Sequence, residues 1–427
     1  MTRAAASAST YEKLVIGKNG VEYDISGADP YGARTTSFDY YESLLSPNIT
    51  ATMTLMDVGG SATHNKEYDK QQRVGSLYNA LPISGQEEIK FKIGKLDFSN
   101  TPLYVNGVVN LGQESNREAI ALSLVSKSAI SNQESTVFRK YNSNIGDCVK
   151  NLVKEYLNVP ENKIKVNPTK NSYSFIGNSN SVFEVICSLA SKSVPQSGEP
   201  GYFFYETKDG FNFKSIDNLI SQSPKNITPY FRTDKLESGV ETNQNDYKIS
   251  RFSINKNQDL INALKSGVYY TRNIFWDPRT FTSEEIIYKL EDNKIKSLGK
   301  SPIIPKVNSF CRTLYRIKDI GTLNPGVTGD VNNDPKEWQA KSAMRYNLLF
   351  TQVISIQVPC NTDLQAGDVI KCDFEIVTQG QKQLGTSDPV QSGNYLIVNL
   401  CHHFDPLRSF TSMTVVRDTY GLYTGKN

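Results

Sequence analysis

The chain of 427 residues offers three histidines, at 64, 402 and 403, as ordinary general bases near neutral pH. His402 and His403 are adjacent in a strand-like segment, so they point to opposite faces and lack the converging ligands that zinc needs. They read as a polar pair at a strand end. Gly299-Lys300-Ser301 would open a phosphate loop only with a glycine five places before Gly299, where Lys294 stands, so it reads as a turn. Asp330-Val-Asn-Asn-Asp334 begins like a calcium loop, but Pro335 takes the place of the required glycine and Lys341 that of the bidentate glutamate. Glu87-Glu88 and Glu284-Glu285 are neighbours on strand-like segments and diverge, so neither pair can flank one glycosidic bond. Carboxylates far apart in sequence stay open as a converging pair. Neither G-x-S-x-G nor H-E-x-x-H occurs. No catalytic, cofactor-binding or metal-ligating residue is therefore assigned, no cofactor is expected, and the chain reads as a non-enzyme.

Two further groups have a bland reading. Lys289, Lys294, Lys296, Lys300 and Lys306, interrupted by Glu291 and Asp292, read as a solvated surface. Tyr40, Tyr41, Tyr202, Phe203, Phe204, Tyr205, Tyr269 and Tyr270 stand at strand spacing, which reads as core and interface rather than a stacking platform.

The elements that would position these residues follow from composition and periodicity. Lys and Arg total 47 against 44 Asp and Glu, a net charge of +3, too balanced for a protein whose main partner is naked nucleic acid or an anionic membrane. Aromatic residues make up 10%, with 23 Tyr and 19 Phe, a balance that suits pleated surfaces. No apolar run approaches the roughly 18 residues of a membrane span, so no membrane anchor is expected. Met1 to Thr10 lacks the apolar stretch of a secretory signal, which points to the cytosol as the site of synthesis and residence. The six cysteines, 148, 187, 311, 360, 372 and 401, contain no C-x-x-C and read as free buried thiols.

Ile49 to Asp57 alternates apolar residues with threonine, and Ile89–Ile93, Tyr104–Val109 and Ala119–Ser126 add further strands, giving a first antiparallel block over residues 1–130. Residues 131–235 read as a small α/β unit. Asn144 caps a helix carrying Ile145, Cys148, Val149, Leu152, Val153, Tyr156 and Leu157, and Ser179 or Asn180 caps a second with Val182, Phe183, Ile186, Leu189 and Ala190. Tyr202–Thr207 and Phe211–Ile216 flank a turn at Lys208-Asp-Gly210, where Asp-Gly supplies positive backbone angles. Strand patterns return at Tyr247–Ile254, Gly267–Asp277 and Thr280–Tyr288, with a short helix at Asp259–Lys265. They resume at Leu348–Val358, Val369–Val377, Asn394–Leu400 and Phe410–Arg417, so residues 236–290 and 346–427 form a last block. Between them, 291–345 reads as an insertion or mobile loop. Gly85-Gln-Glu-Glu-Ile-Lys-Phe-Lys-Ile93 and Gly367-Asp-Val-Ile-Lys-Cys-Asp-Phe-Glu-Ile376 both leave a glycine turn into Ile-Lys with alternating faces, an echo that suggests one barrel present twice.

The order of these blocks resembles the baseplate hub proteins of contractile-tailed bacteriophages, whose relatives include late-control tail proteins and the N-terminal part of type VI secretion spike proteins. The likeness is carried by Phe38-Asp-Tyr-Tyr-Glu-Ser, Thr52-Met-Thr-Leu-Met-Asp57, Gly201 to Ile216 with its preceding helix, Gly393 to Phe404 and Phe410 to Asp418, nearly the whole chain in order. The stretch from Lys289 to Arg345 has no counterpart. The resemblance implies a mainly β fold with an α/β insert and two tube-type antiparallel β-barrel domains per chain. Three such chains would form a homotrimeric ring of six similar domains, adapting a six-fold tail tube to a three-fold spike. The implied partners are the tail tube protein, the central spike protein and surrounding baseplate proteins, with genomic DNA only in transit through the lumen. The implied place is the virion's tail baseplate, assembled in the host bacterial cytoplasm. The strand faces of Ile89–Ile93 and Ile370–Ile376 fit this, one packing a core and the other facing a water-filled channel or a neighbouring subunit. Two other readings stand beside it: a polysaccharide (peptidoglycan) hydrolase using carboxylates, and a spike-base protein of a related contractile injection system. The chain lacks a long β-helical needle, which favours the phage part.

Overall fold

Threonine alternating with apolar residues makes Thr50–Asp57 a strand with one wet face, and the computed structural model shows Ala51, Met53 and Leu55 buried with Thr52 and Met56 exposed. The structure describes residues 10–28, 32–59, 76–77, 81, 83–114, 117–232, 246–290, 295–299, 311–321, 332, 335–376 and 387–419. The first block holds β1 (Lys13–Lys18), β2 (Val21–Asp24), β3 (Arg34–Ser43), β4 (Thr50–Asp57), β5 (Glu88–Ile93), β6 (Leu96–Asp97), β7 (Leu103–Glu114) and β8 (Arg117–Ser126). They pair in the order β3-β4-β8-β7-β5-β1-β2. Phe38, Phe91 and Phe98 anchor the core, with the Phe91 and Phe98 rings stacked at 4.7 Å and Phe38 edge-on to Phe91 at 4.9 Å. β7 outruns the expected Tyr104–Val109 because its outer half is exposed on both faces, so ladder pairing to β8 holds it without an alternation to read.

The α/β unit follows as α1 (Lys127–Glu134), β9 (Thr136–Val137), β10 (Lys140–Asn144), α2 (Ile145–Leu157), β11 (Ile164–Val166), β12 (Ser172–Ile176), β13 (Asn180–Ser181), α3 (Val182–Ala190), β14 (Tyr202–Thr207), β15 (Gly210–Ser215) and α4 (Ile216–Ile220). Asn144 caps α2 by accepting from the Gly146 amide at 3.0 Å, and Asn158 ends it in the left-handed region. The cap of α3 is Ser181, not Ser179 or Asn180. Asn180 and Ser181 first pair with β9, and Glu184 completes a capping box with Ser181. In the β14–β15 turn only Gly210 takes a positive φ, 117°, and a Cβ there would meet the Lys163 carbonyl oxygen at 2.2 Å.

The last block contains β16 (Tyr230–Arg232), β17 (Arg251–Lys256), α5 (Leu260–Ser266), β18 (Tyr270–Asp277), β19 (Thr282–Lys289), β20 (Arg312–Ile317), α6 (Pro335–Leu349), β21 (Gln352–Pro359), β22 (Val369–Phe374), β23 (Gly393–Phe404) and β24 (Ser409–Arg417). Residues 291–345, expected as an insertion or mobile loop, contribute two elements. β20 runs parallel to β18 in a separate sheet ordered β19-β18-β20, and α6 spans the end of the stretch. Turn residues around Gly321 hid β20, and α6 pushes the start of β21 from the expected Leu348 to Gln352. Trp338 of α6 lies in the core of the α/β unit, and Arg345 is fully buried against Asp217 and Asp418. Residues 322–334 of the turn cluster, save Asn332, lie outside the described residues, as do His64, Lys294, Lys300 and Lys306.

The first and last blocks share one 14-stranded sheet. β23 pairs antiparallel with β3, so the local order is β4-β3-β23-β24, and each block presents the first strand of a hairpin at the joint. Phe404 accordingly sits in the first block's core. The fold is mostly β, with its helices mainly in the middle unit and the last block.

Candidate functional site

The β3–β23 joint divides its two histidines. His402 lies opposite Tyr40, fully buried, with the rings stacked at 6.1 Å, and its Nδ1 is 2.9 Å from Thr411 Oγ1. Burial pushes its pKa down to about 3, so the ring is neutral. His403 points to the other face, with Nδ1 2.6 Å from Asp39 and Nε2 3.1 Å from Asp405. Among the described residues, no three His, Cys, Asp or Glu side chains gather as metal ligands. Cys148, Cys360 and Cys372 are buried, whereas Cys187 and Cys311 are exposed, which corrects the expectation of buried thiols at those two places.

The face opposite the core carries a pattern that runs across blocks. Direct cross-strand partners share a face, and the register aligns Ser253, Ser355, Thr414, Asn399 and Ser43 in one row. Beside it run Arg251, Gln357, Ser412, Cys401, Tyr41 and Thr50. A third row passes Phe410, His403, Asp39, Thr52 and Ser123. Seven strands, from β17 to β8, thus present mainly hydroxyl and amide groups. The charged side chains in these rows are Arg251 at one end and Asp39, hydrogen-bonded to His403. Ser43 donates to Asn399 Oδ1 at 2.6 Å directly across the joint. An open groove of about 780 Å³ lies along the face. The strands singled out for a channel face differ in kind: on β5, Lys90 pairs with Glu22 at 2.8 Å and Lys92 with Glu12 at 2.7 Å, forming a charged surface.

Beneath the joint, two carboxylates distant in sequence converge. Glu42 Oε1 accepts from Tyr40 Oη and the Lys208 amide, both at 2.8 Å, and Oε2 accepts from the Ala366 amide at 2.8 Å. Glu206 Oε2 accepts from the Ile49 amide at 3.1 Å and Ser126 Oγ at 2.6 Å. The first block and the α/β unit thereby each cap a backbone donor of another block. Burial raises the pKa of both acids to about 7, with the Glu42 charge adding to the rise at Glu206. Lys208 Nζ turns to the Thr362 and Leu364 carbonyl oxygens, and burial lowers its pKa. No motif signals this cluster. Only the alternation Phe38, Tyr40, Glu42 places Glu42 on a buried face, while β14 is buried throughout and hides Glu206.

The 43 kDa tail protein of prophage MuSo2 from Shewanella oneidensis matches 96% of this chain and 100% of its own, with a TM-score of 0.53 at 11% identity. A tail protein from Neisseria meningitidis MC58 matches 96% of this chain and 97% of its own, again with a TM-score of 0.53 at 11% identity. The chain has a phage tail-protein fold. The sequence itself matches no protein-family model and no curated protein. Within this tail-protein fold, the hydroxyl-lined rows and the carboxylate joint both lie where the first and last blocks meet.

Proposed function

We propose that the chain is a structural baseplate hub of a contractile phage tail. In this reading three copies form a ring of six similar barrel domains that adapts the six-fold tube to the three-fold spike and forms part of the DNA conduit. Its partners are further copies of itself, the tail tube protein, the central spike protein and surrounding baseplate proteins, in a virion assembled in the host cytoplasm. The observation that carries the reading is the charge-poor polar face continuing across the β3–β23 joint, a surface over which a polyanion can pass without strong attraction or repulsion.

The sheet's edges support a ring as well. Among the described residues β17 pairs only with β21, and β7 beyond Val105 only with β8. Open edges at two separated places on one sheet invite head-to-tail pairing, which closes into a ring when the rotation permits. A carboxylate hydrolase is less well supported, because both oxygens of Glu42 are occupied by internal donors and cannot meet a substrate together with Glu206. Native mass spectrometry of the purified full chain, alone and with tube and spike proteins, tests the reading. A trimer alone or on adding partners supports it; a chain that stays monomeric throughout, or that releases peptidoglycan fragments, overturns it.

A further inference from the structure

We propose that Glu206 is the proton-accepting member of a carboxylate pair that fastens the blocks together, so that the grip of the β14–β15 hairpin on the first block tightens with one bound proton and slackens without it. The hydrogen bonds decide which acid takes the proton. Glu42 accepts from three donors, two on Oε1 and one on Oε2, and each of these hydrogen bonds favours its ionised form. Glu206 receives its two donors on Oε2, and Oε1 has no protein partner among the described residues. Glu206, nine-tenths buried, also lines a cleft of about 330 Å³ between the first block and the α/β unit, which gives water a route to that oxygen.

Charge balance agrees. The groups around the pair are Tyr40 from β3 and Tyr205 and Lys208 from the hairpin, with Asp209, Asp363, Asp368 and His402 reaching it through Tyr40, Tyr205 or Lys208, and Lys127 and Lys163 on the cleft. His402 is neutral, and Asp368 has Lys225 within 3.9 Å. Lys208 is the cation that acts on Glu42, and with it one ionised acid and one protonated acid make the state of lowest charge. When the second proton leaves, Glu206 becomes a buried anion beside Glu42. The sign follows: the folded chain holds this proton up to about pH 7, whereas an open chain releases it near 4.5, so the site's contribution to stability falls as pH rises between those values and is flat above.

His402 has the opposite slope below its ordinary value of 6.5, so a pH profile of the wild type alone mixes the two sites. The test is the difference in melting temperature between wild type and Glu206→Gln, an isostere of the protonated acid, measured on the full chain from pH 4.5 to 8.5. The variant is expected to melt with the wild type near pH 5 and several degrees above it at pH 8. Glu42→Gln, which sets an amide nitrogen against a donor, is expected to melt lower at every pH. A Glu206→Gln difference that does not change with pH, or a variant that melts lower at pH 8, overturns the proposal. A second readout needs no variant. Hydrogen exchange at the Ile49 amide, corrected for its intrinsic pH dependence, should lose protection from pH 6 to 8, and constant protection overturns the proposal.

Discussion

Buried charge governs the residue scale. Arg345 is fully buried, with Nη2 2.8 Å from Asp217 Oδ1 and 2.6 Å from the Lys296 carbonyl oxygen, and Nη1 3.4 Å from Asp418 Oδ2. The guanidinium ties α6, α4 and the segment after β24 into one network. Arg345→Met leaves two buried aspartates without their cation, so a loss of about 3–5 kcal/mol is expected, read as a lowered urea midpoint. His402 provides a pH-dependent counterpart. Its folded value of about 3 lies below the ordinary 6.5, so stability from keeping it neutral is full above pH 6.5 and drains away as pH falls toward 3. His402→Phe removes that slope. The variant should melt below wild type at pH 8, where it lacks the bond to Thr411, and the gap should narrow at pH 5; an unchanged gap would show that the ring is not neutral.

Elements differ in how openly their sequences state them. Helices α2 and α3 are set by local chemistry: three-four apolar spacing, a cap and a stop, all within about a dozen residues. Ser181→Ala should therefore cost about 1 kcal/mol, measured by denaturant unfolding, whereas Ser179→Ala, at one of the two caps expected from the sequence, should cost far less. β7 and β20 were less legible. The outer half of β7 has no buried face, and β20 depends on a parallel partner some 40 residues earlier, so neither has a periodic signature. The open edge of β7 yields its own test. Val109→Lys with Leu111→Lys, at positions each 59% exposed, should block edge pairing and reduce the trimer peak in native mass spectrometry. The monomer's melting temperature should stay within about a degree or two, since surface changes of this kind cost under ~0.5 kcal/mol.

For the whole molecule, the question is what fills the space before the polar rows. If they line a lumen, Ser355→Arg and Thr414→Arg project into water, and both folding and trimer mass should be retained. If a neighbouring subunit covers them, the same changes bury charge and abolish the trimer, which assigns the face to an interface. The sequence by itself determined the strand-rich class, the block order, α2 and α3 and the absence of a familiar catalytic motif, because these follow from periodicity and spacing within short windows. Tertiary structure alone decided the rest. It joined β3 to β23 across roughly 350 residues, aligned polar side chains from seven strands into rows, and brought Glu42 and Glu206 to one buried joint. Contacts of that reach are fixed by which edges pair and which cores merge, and the free energy of such pairing is a property of both partners at once. Neither partner's local sequence records it.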